Sequence, residues 1–181
     1  MLRLRLVTVL LCSLVACSCS SMRKQHSVSS VELPSAPIPV SYYLEFHADC
    51  QSDTTWTESC QAEFADHANE AAAALLDHVI GPGVENPDDA DLQVSMIYSQ
   101  QSKLFRSRGT VFMIVEEIDT DDEVFFGLGH GYVHFPAGAS PLDYATCYDT
   151  MARCMANVAP RLIRNLSAQE LAHSETPLSV P

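Results

Sequence analysis

Cys147 and Cys154 stand seven residues apart in "CYDTMARC", with Met151 between them. At about 100° per residue these three and Val158 fall on one side of a helix. Seven helical residues rise about 10 Å, beyond the roughly 7 Å that a disulfide tolerates between Cα atoms. The two cysteines therefore cannot bridge each other. They are left to pair with Cys50 or Cys60, which would staple this helix to an earlier part of the chain, or to serve as small core residues. At least one cross-pair is the expectation, with a local Cys50–Cys60 bond as the competing arrangement.

Other reactive residue types are arranged less suggestively. His130 and His134 share a strand face but stand about 13 Å apart at strand rise, too far for one metal ion. "DTDDE" (Asp119 to Glu123) lacks the central glycine of a calcium loop, and its twelfth position is His130. No nucleophile elbow, zinc-protease signature or phosphate loop occurs, so no catalytic residue, metal or cofactor is assigned. Lys103, Arg106 and Arg108 form a basic cluster able to meet an anion; Arg153, Arg161 and Arg164 form another. In "GLGHG", Gly127, Gly129 and Gly131 lie on one face of a strand and make a smooth patch. That patch suits close packing under an alanine-rich helix. Left open, it would be a surface for a partner or lipid.

The chemistry that decides the address lies at the start. Arg3 and Arg5 precede an apolar run from Leu6 to Ala16. A membrane-spanning helix takes about 20 residues, so this run is too short to cross, and it fits the apolar segment of a secretory signal peptide. It ends Leu14-Val15-Ala16-Cys17, which resembles the lipobox of bacterial lipoproteins. The resemblance implies removal of residues 1–16 and acylation of Cys17. Two or three acyl chains on one cysteine anchor durably, because each buried methylene adds about 0.8 kcal/mol. Ser18 follows where proteobacterial lipoproteins kept in the inner membrane tend to carry Asp, so the resemblance implies the periplasmic face of the outer membrane. Cys19, Cys50, Cys60, Cys147 and Cys154 would remain in that oxidising compartment.

The elements that must position these residues follow from pattern. Residues 17–39 are rich in Ser, Pro and Val without periodicity and read as a tether. Residues 40–167 read as one domain, and 168–181 as a tail. "VSYYLEFH" (Val40 to His47) alternates as a half-buried strand. A helix follows from a capping box at Thr55 and Glu58 to about Ile80, its stripe being Phe64, Ala68, Ala71, Ala72, Leu75 and Val79; Gly81-Pro82-Gly83 stops it. Strands are expected at Leu92 to Gln100, Thr110 to Asp119 and Glu123 to Phe135. A second helix begins at Ser140-Pro141, with Ser140 as N-cap, and runs to about Leu166, kinked or restarted at Pro160. Its main stripe is Leu142, Ala145, Asp149 or Tyr148, Ala152, Ala156, Ala159, Ile163 and Leu166.

The expected fold is α+β: a β-α-β-β-β-α two-layer sandwich, with a mostly antiparallel four-stranded sheet and two helices on one face. The chain carries a net charge of -13, which argues against a nucleic-acid partner. The layout Ala90-Asp91-Leu92, the basic stretch Lys103 to Arg108, the hairpin Gly109 to Phe135 and the final helix resembles the lipopolysaccharide-assembly lipoprotein family. That resemblance implies a non-enzymatic, membrane-tethered protein that docks on an envelope complex. The alternative is a lipid- or glycolipid-binding lipoprotein using the 103–108 loop or the glycine-rich face.

Overall fold

A computed structural model describes residues 31–37, 39–52, 58–103, 106–120, 122–134 and 140–174. The signal peptide, the lipobox with Cys17, Cys19, most of the tether and residues 175–181 lie outside them.

Alternation sets the strands. In β1 (Tyr42–Ser52) the side chains of Tyr42 and Cys50 are buried, whereas Glu45, His47, Asp49 and Gln51 are exposed. Helix α1 (Glu58–Val79) buries Phe64, Ala68, Ala71, Ala72, Leu75 and Val79, the stripe read from its periodicity. It ends at Gly81, whose φ of 150° is a backbone state that side chains disfavour; a Cβ there would also meet the Val40 carbonyl oxygen at 2.6 Å. Next come β2 (Gly83–Val84), a 3-10 turn (Pro87–Asp89), β3 (Leu92–Lys103), β4 (Arg106–Glu117) and β5 (Glu123–His134).

The sheet has five strands in the order β2-β1-β3-β4-β5. Strand β1 is parallel to both β2 and β3, and the β3-β4-β5 meander is antiparallel. The class is α+β as expected, but the sheet is mixed and five-stranded rather than mostly antiparallel and four-stranded. The reason is α1. A helix between two strands returns the chain to the end from which β1 started, so β3 runs alongside β1 in the same direction. The join is fixed by Asp91, whose carboxylate accepts from the Ser41 backbone N–H at 3.1 Å.

Helix α2 (Tyr144–Ser174) starts later than expected. Its cap is Asp143, whose carboxylate accepts from the Thr146 N–H at 2.8 Å; Ser140 instead accepts from the Leu142 N–H one turn earlier. The helix passes Pro160 without a break and continues to Ser174, through part of the segment expected to be a tail. Pro160 is exposed and lacks the N–H that would bond one turn back, so the helix forgoes one backbone bond there. The buried surface of α2 is broader than the expected main stripe: Ala152, Ala159 and Leu166 of that stripe are buried, together with Cys147, Met151, Cys154, Met155, Val158 and Leu162, whereas Ala145 is exposed. Both helices lie on one face of the sheet: α1 against β1, and α2 against β4 and β5 and beside α1.

Candidate functional site

The glycine-rich patch is closed. A Cβ on Gly129 would lie 2.3 Å from the Cys154 carbonyl oxygen, and one on Gly131 would lie 2.7 Å from the Cys154 nitrogen. The backbone of α2 thus rests on β5. Gly127, Gly129 and Gly131 are packing positions and not a partner surface, and the helix they receive is the second one, not the alanine-rich first.

The outer edge of β5 is closed as well. Asn157 and Asn165 donate side-chain N–H groups to the carbonyls of His130 and Val124, both at 3.2 Å, and Arg161 reaches the Phe126 carbonyl at 3.5 Å. The three donors recur every fourth residue along α2. They occupy edge carbonyls that would otherwise be open to another strand. Arg161 also stands 5.7 Å from the centroid of the Phe125 ring. Its place in a basic run said nothing of this role.

The cysteines form no cross-pair among the described residues; Cys50, Cys147 and Cys154 are buried thiols. The three lie in the same buried cluster as Tyr98. Burial, before any neighbouring group, pushes all three up to about 12. A thiol held protonated in this way is neither a nucleophile nor a ready metal ligand at neutral pH. Cys60 is only half-buried on α1. Beside the thiols runs a polar chain. The Tyr98 hydroxyl donates to Gln100 Oε1 at 2.6 Å, and Gln100 Nε2 donates to the Pro141 carbonyl at 2.7 Å and to Ser102 Oγ at 3.2 Å. Gln100 is fully buried, and both ends of its amide are bonded. Burial also raises the Tyr98 hydroxyl well above its ordinary range. This network ties the start of α2 to β3.

What remains open is the other side of the sheet. Lys103 ends β3, while Arg106 and Arg108 lie within β4; the cluster expected in a loop stands on paired strands, in register as Lys103–Arg106 and Gln101–Arg108. Strand pairing brings Tyr132 beside Arg108 and His130 beside Thr110. The result is a groove of about 700 Å³ lined by Gln101, Lys103, Arg106, Arg108, His130, Gly131 and Tyr132. Among the described residues that line it there is no carboxylate. His130 Nδ1 bonds Thr110 Oγ1 at 3.1 Å, which leaves Nε2 for a ligand or water. His134 does not join His130; its ring stands edge-on to Tyr132, with centroids 6.0 Å apart.

Two rows further along the strands the face turns apolar. Ile97, Phe112 and Leu128 pair across three strands, and Ile114 and Phe126 form the next row. Ile97, Phe126 and Leu128 are 47–49% exposed, and Phe112 meets Phe126 edge-on at 5.1 Å. No described element packs on this face. The signal was present in "FFGLGHGYVH": glycine on one face of the strand means that the bulky residues lie on the other.

The chain matches no known protein family and none of the curated proteins. Among solved structures it is similar to the PelC dodecamer from Paraburkholderia phytofirmans, at 10% identity, with 71% of this chain and 94% of that chain covered and a TM-score of 0.40. A protein from Xanthomonas campestris overlaps at 11% identity, over 80% of this chain and 96% of that one, with a TM-score of 0.41. The minor lipoprotein from Acinetobacter baumannii does so at 13% identity, over 72% and 94%, with a TM-score of 0.31. At such scores these likenesses assign neither a family nor an activity.

Proposed function

We propose that this chain is a lipid-anchored protein of the bacterial envelope, held by acylated Cys17 at the periplasmic face of the outer membrane. It acts without catalysis as a docking or assembly factor. The observation that carries the reading is the outer face of the sheet: an apolar band centred on Phe112 and Leu128, bounded at one end by Lys103, Arg106 and Arg108. Helices cover the opposite face and cap the β5 edge, so this face is where a partner finds apolar area and charge together. The buried thiols and the saturated Gln100 network also favour a binding role over a chemical one.

The second reading is a site for an anionic lipid or glycolipid head. The carboxylate-free lining of the groove favours it, since two arginines suit bidentate contacts to an anion. A photo-crosslinking residue at Leu128, compared with one at Glu70 on the exposed side of α1, separates the readings in living envelopes. Protein adducts confined to the Leu128 position support docking. Lipid adducts there favour the second reading, and equal labelling at both positions contradicts both.

A further inference from the structure

We infer that the outer sheet face is covered by a second copy of this chain, packed face to face about a two-fold axis through Phe112. The inference rests on the docking reading and names its partner.

The order of outward residues along β4 carries it. From the hairpin end they are Arg106, Arg108, Thr110, Phe112, Ile114 and Glu116. Arg108 and Glu116 stand four residues to either side of Phe112, at about 13 Å each. A two-fold axis crossing the strand at Phe112 therefore lays Arg108 of one copy on Glu116 of the other, twice. An isologous contact needs this kind of self-complementarity. The neighbouring strands obey the same axis. Ile97 and Leu128 pair in register with Phe112, so each falls near its own counterpart and the apolar band meets itself. On β5, Phe126 falls on His130 and Tyr132 is carried toward the acidic start of the strand. On β1 the same axis lays Glu45 of one copy on Asp49 of the other, a like-charge contact that opposes pairing; it lies two strands from β4, roughly 10 Å aside, and involves exposed groups, whose interaction is weak.

Pairing along the β5 edge is disfavoured. The β5 edge carbonyls are occupied by Asn157, Arg161 and Asn165. Aligned sheets packed about 10 Å apart are an ordinary solution for two half-apolar faces.

The test uses the full-length chain in mild detergent, in two differently tagged copies, with mass read by sedimentation or native mass spectrometry. Wild-type chains should form dimers. Arg108→Glu alone and Glu116→Arg alone should each weaken self-pairing about tenfold or more. An equal mixture of the two variants should form a dimer holding one of each tag, because each charge then meets its opposite. The double variant Arg108→Glu/Glu116→Arg should pair with itself again. Both positions are solvent-accessible, so thermal unfolding should be little changed and loss of folding is not confused with loss of pairing. A monomeric wild type, unchanged pairing in both single variants, or failure of the mixture to associate overturns the inference. If pairing fails while Leu128 still crosslinks to other envelope proteins, the inference falls and the docking function stands. If neither pairing nor crosslinks occur, both fall.

Discussion

Gly129 and Cys154 touch where a side chain has no room: a Cβ on the glycine would stand 2.3 Å from the Cys154 carbonyl oxygen. The obstacle is helix backbone, which cannot swing aside as a flexible side chain would. Gly129→Ala should force α2 away from β5 and cost about 1–3 kcal/mol, as overpacking does. Thermal unfolding should show a Tm lowered by several degrees. An unchanged Tm would mean that α2 does not seat on the glycine strip.

Gln100 should be nearly irreplaceable by an apolar residue of similar size. Gln100→Leu removes the acceptor of the buried Tyr98 hydroxyl's proton and a donor from the Pro141 carbonyl. A buried polar group left unpaired costs about 1–3 kcal/mol. Denaturant unfolding should show the midpoint falling accordingly, with α2's first turn losing amide-exchange protection before the rest of the helix. Equal loss everywhere would contradict the pinning role.

The edge caps predict a solubility defect rather than a large stability loss. Asn157→Ala with Asn165→Ala removes two bonds to β5 carbonyls, each worth about 0.5–1.5 kcal/mol at most. The freed edge offers acceptors to another strand, and aggregation on mild heating should rise. Light scattering equal to that of wild type would show that the edge is protected by other means.

The thiols give a pH dependence with a defined sign. Cys50, Cys147 and Cys154 are pushed from 9.0 up to about 12 by burial. In the unfolded chain they ionise at the ordinary value, so the unfolded state loses protons first as pH rises. Their contribution is intact below pH 9 and is lost progressively toward 12. The Tm should be insensitive to these groups at neutral pH and fall steeply above pH 9. Replacing all three with alanine should flatten that alkaline fall while lowering Tm at pH 7. An alkaline fall of the same steepness in the triple variant would contradict the assignment.

Much of the core was legible because burial leaves a period. The alternation of β1 and the stripe Phe64, Ala68, Ala71, Leu75, Val79 both stand where periodicity puts them. Two things were not legible. The parallel pairing of β1 with β3 depends on which way α1 sends the chain, and no local pattern records direction. The seating of α2 is the other: two stripes compete on that helix, and the fit of Cys147, Met151 and Cys154 into the narrow gap above a glycine strand depends on β5 lying beneath them. Of the candidate site, Lys103, Arg106 and Arg108 could be read as a cluster. Their union with Tyr132 and His130 required the register of β4 with β5. The outer apolar band follows from the glycine face, because the bulky residues of β5 alternate with those glycines.

Leu128→Glu with Phe126→Glu tests the central claim most directly, measured as recovery of crosslinked partners from intact envelopes alongside the Tm of the purified protein. Both side chains are about half exposed on the outer sheet face. If that face is the docking surface, partner recovery should collapse while Tm stays within a degree or two of wild type. Undiminished recovery with an unchanged Tm would contradict the account and place docking elsewhere on the protein.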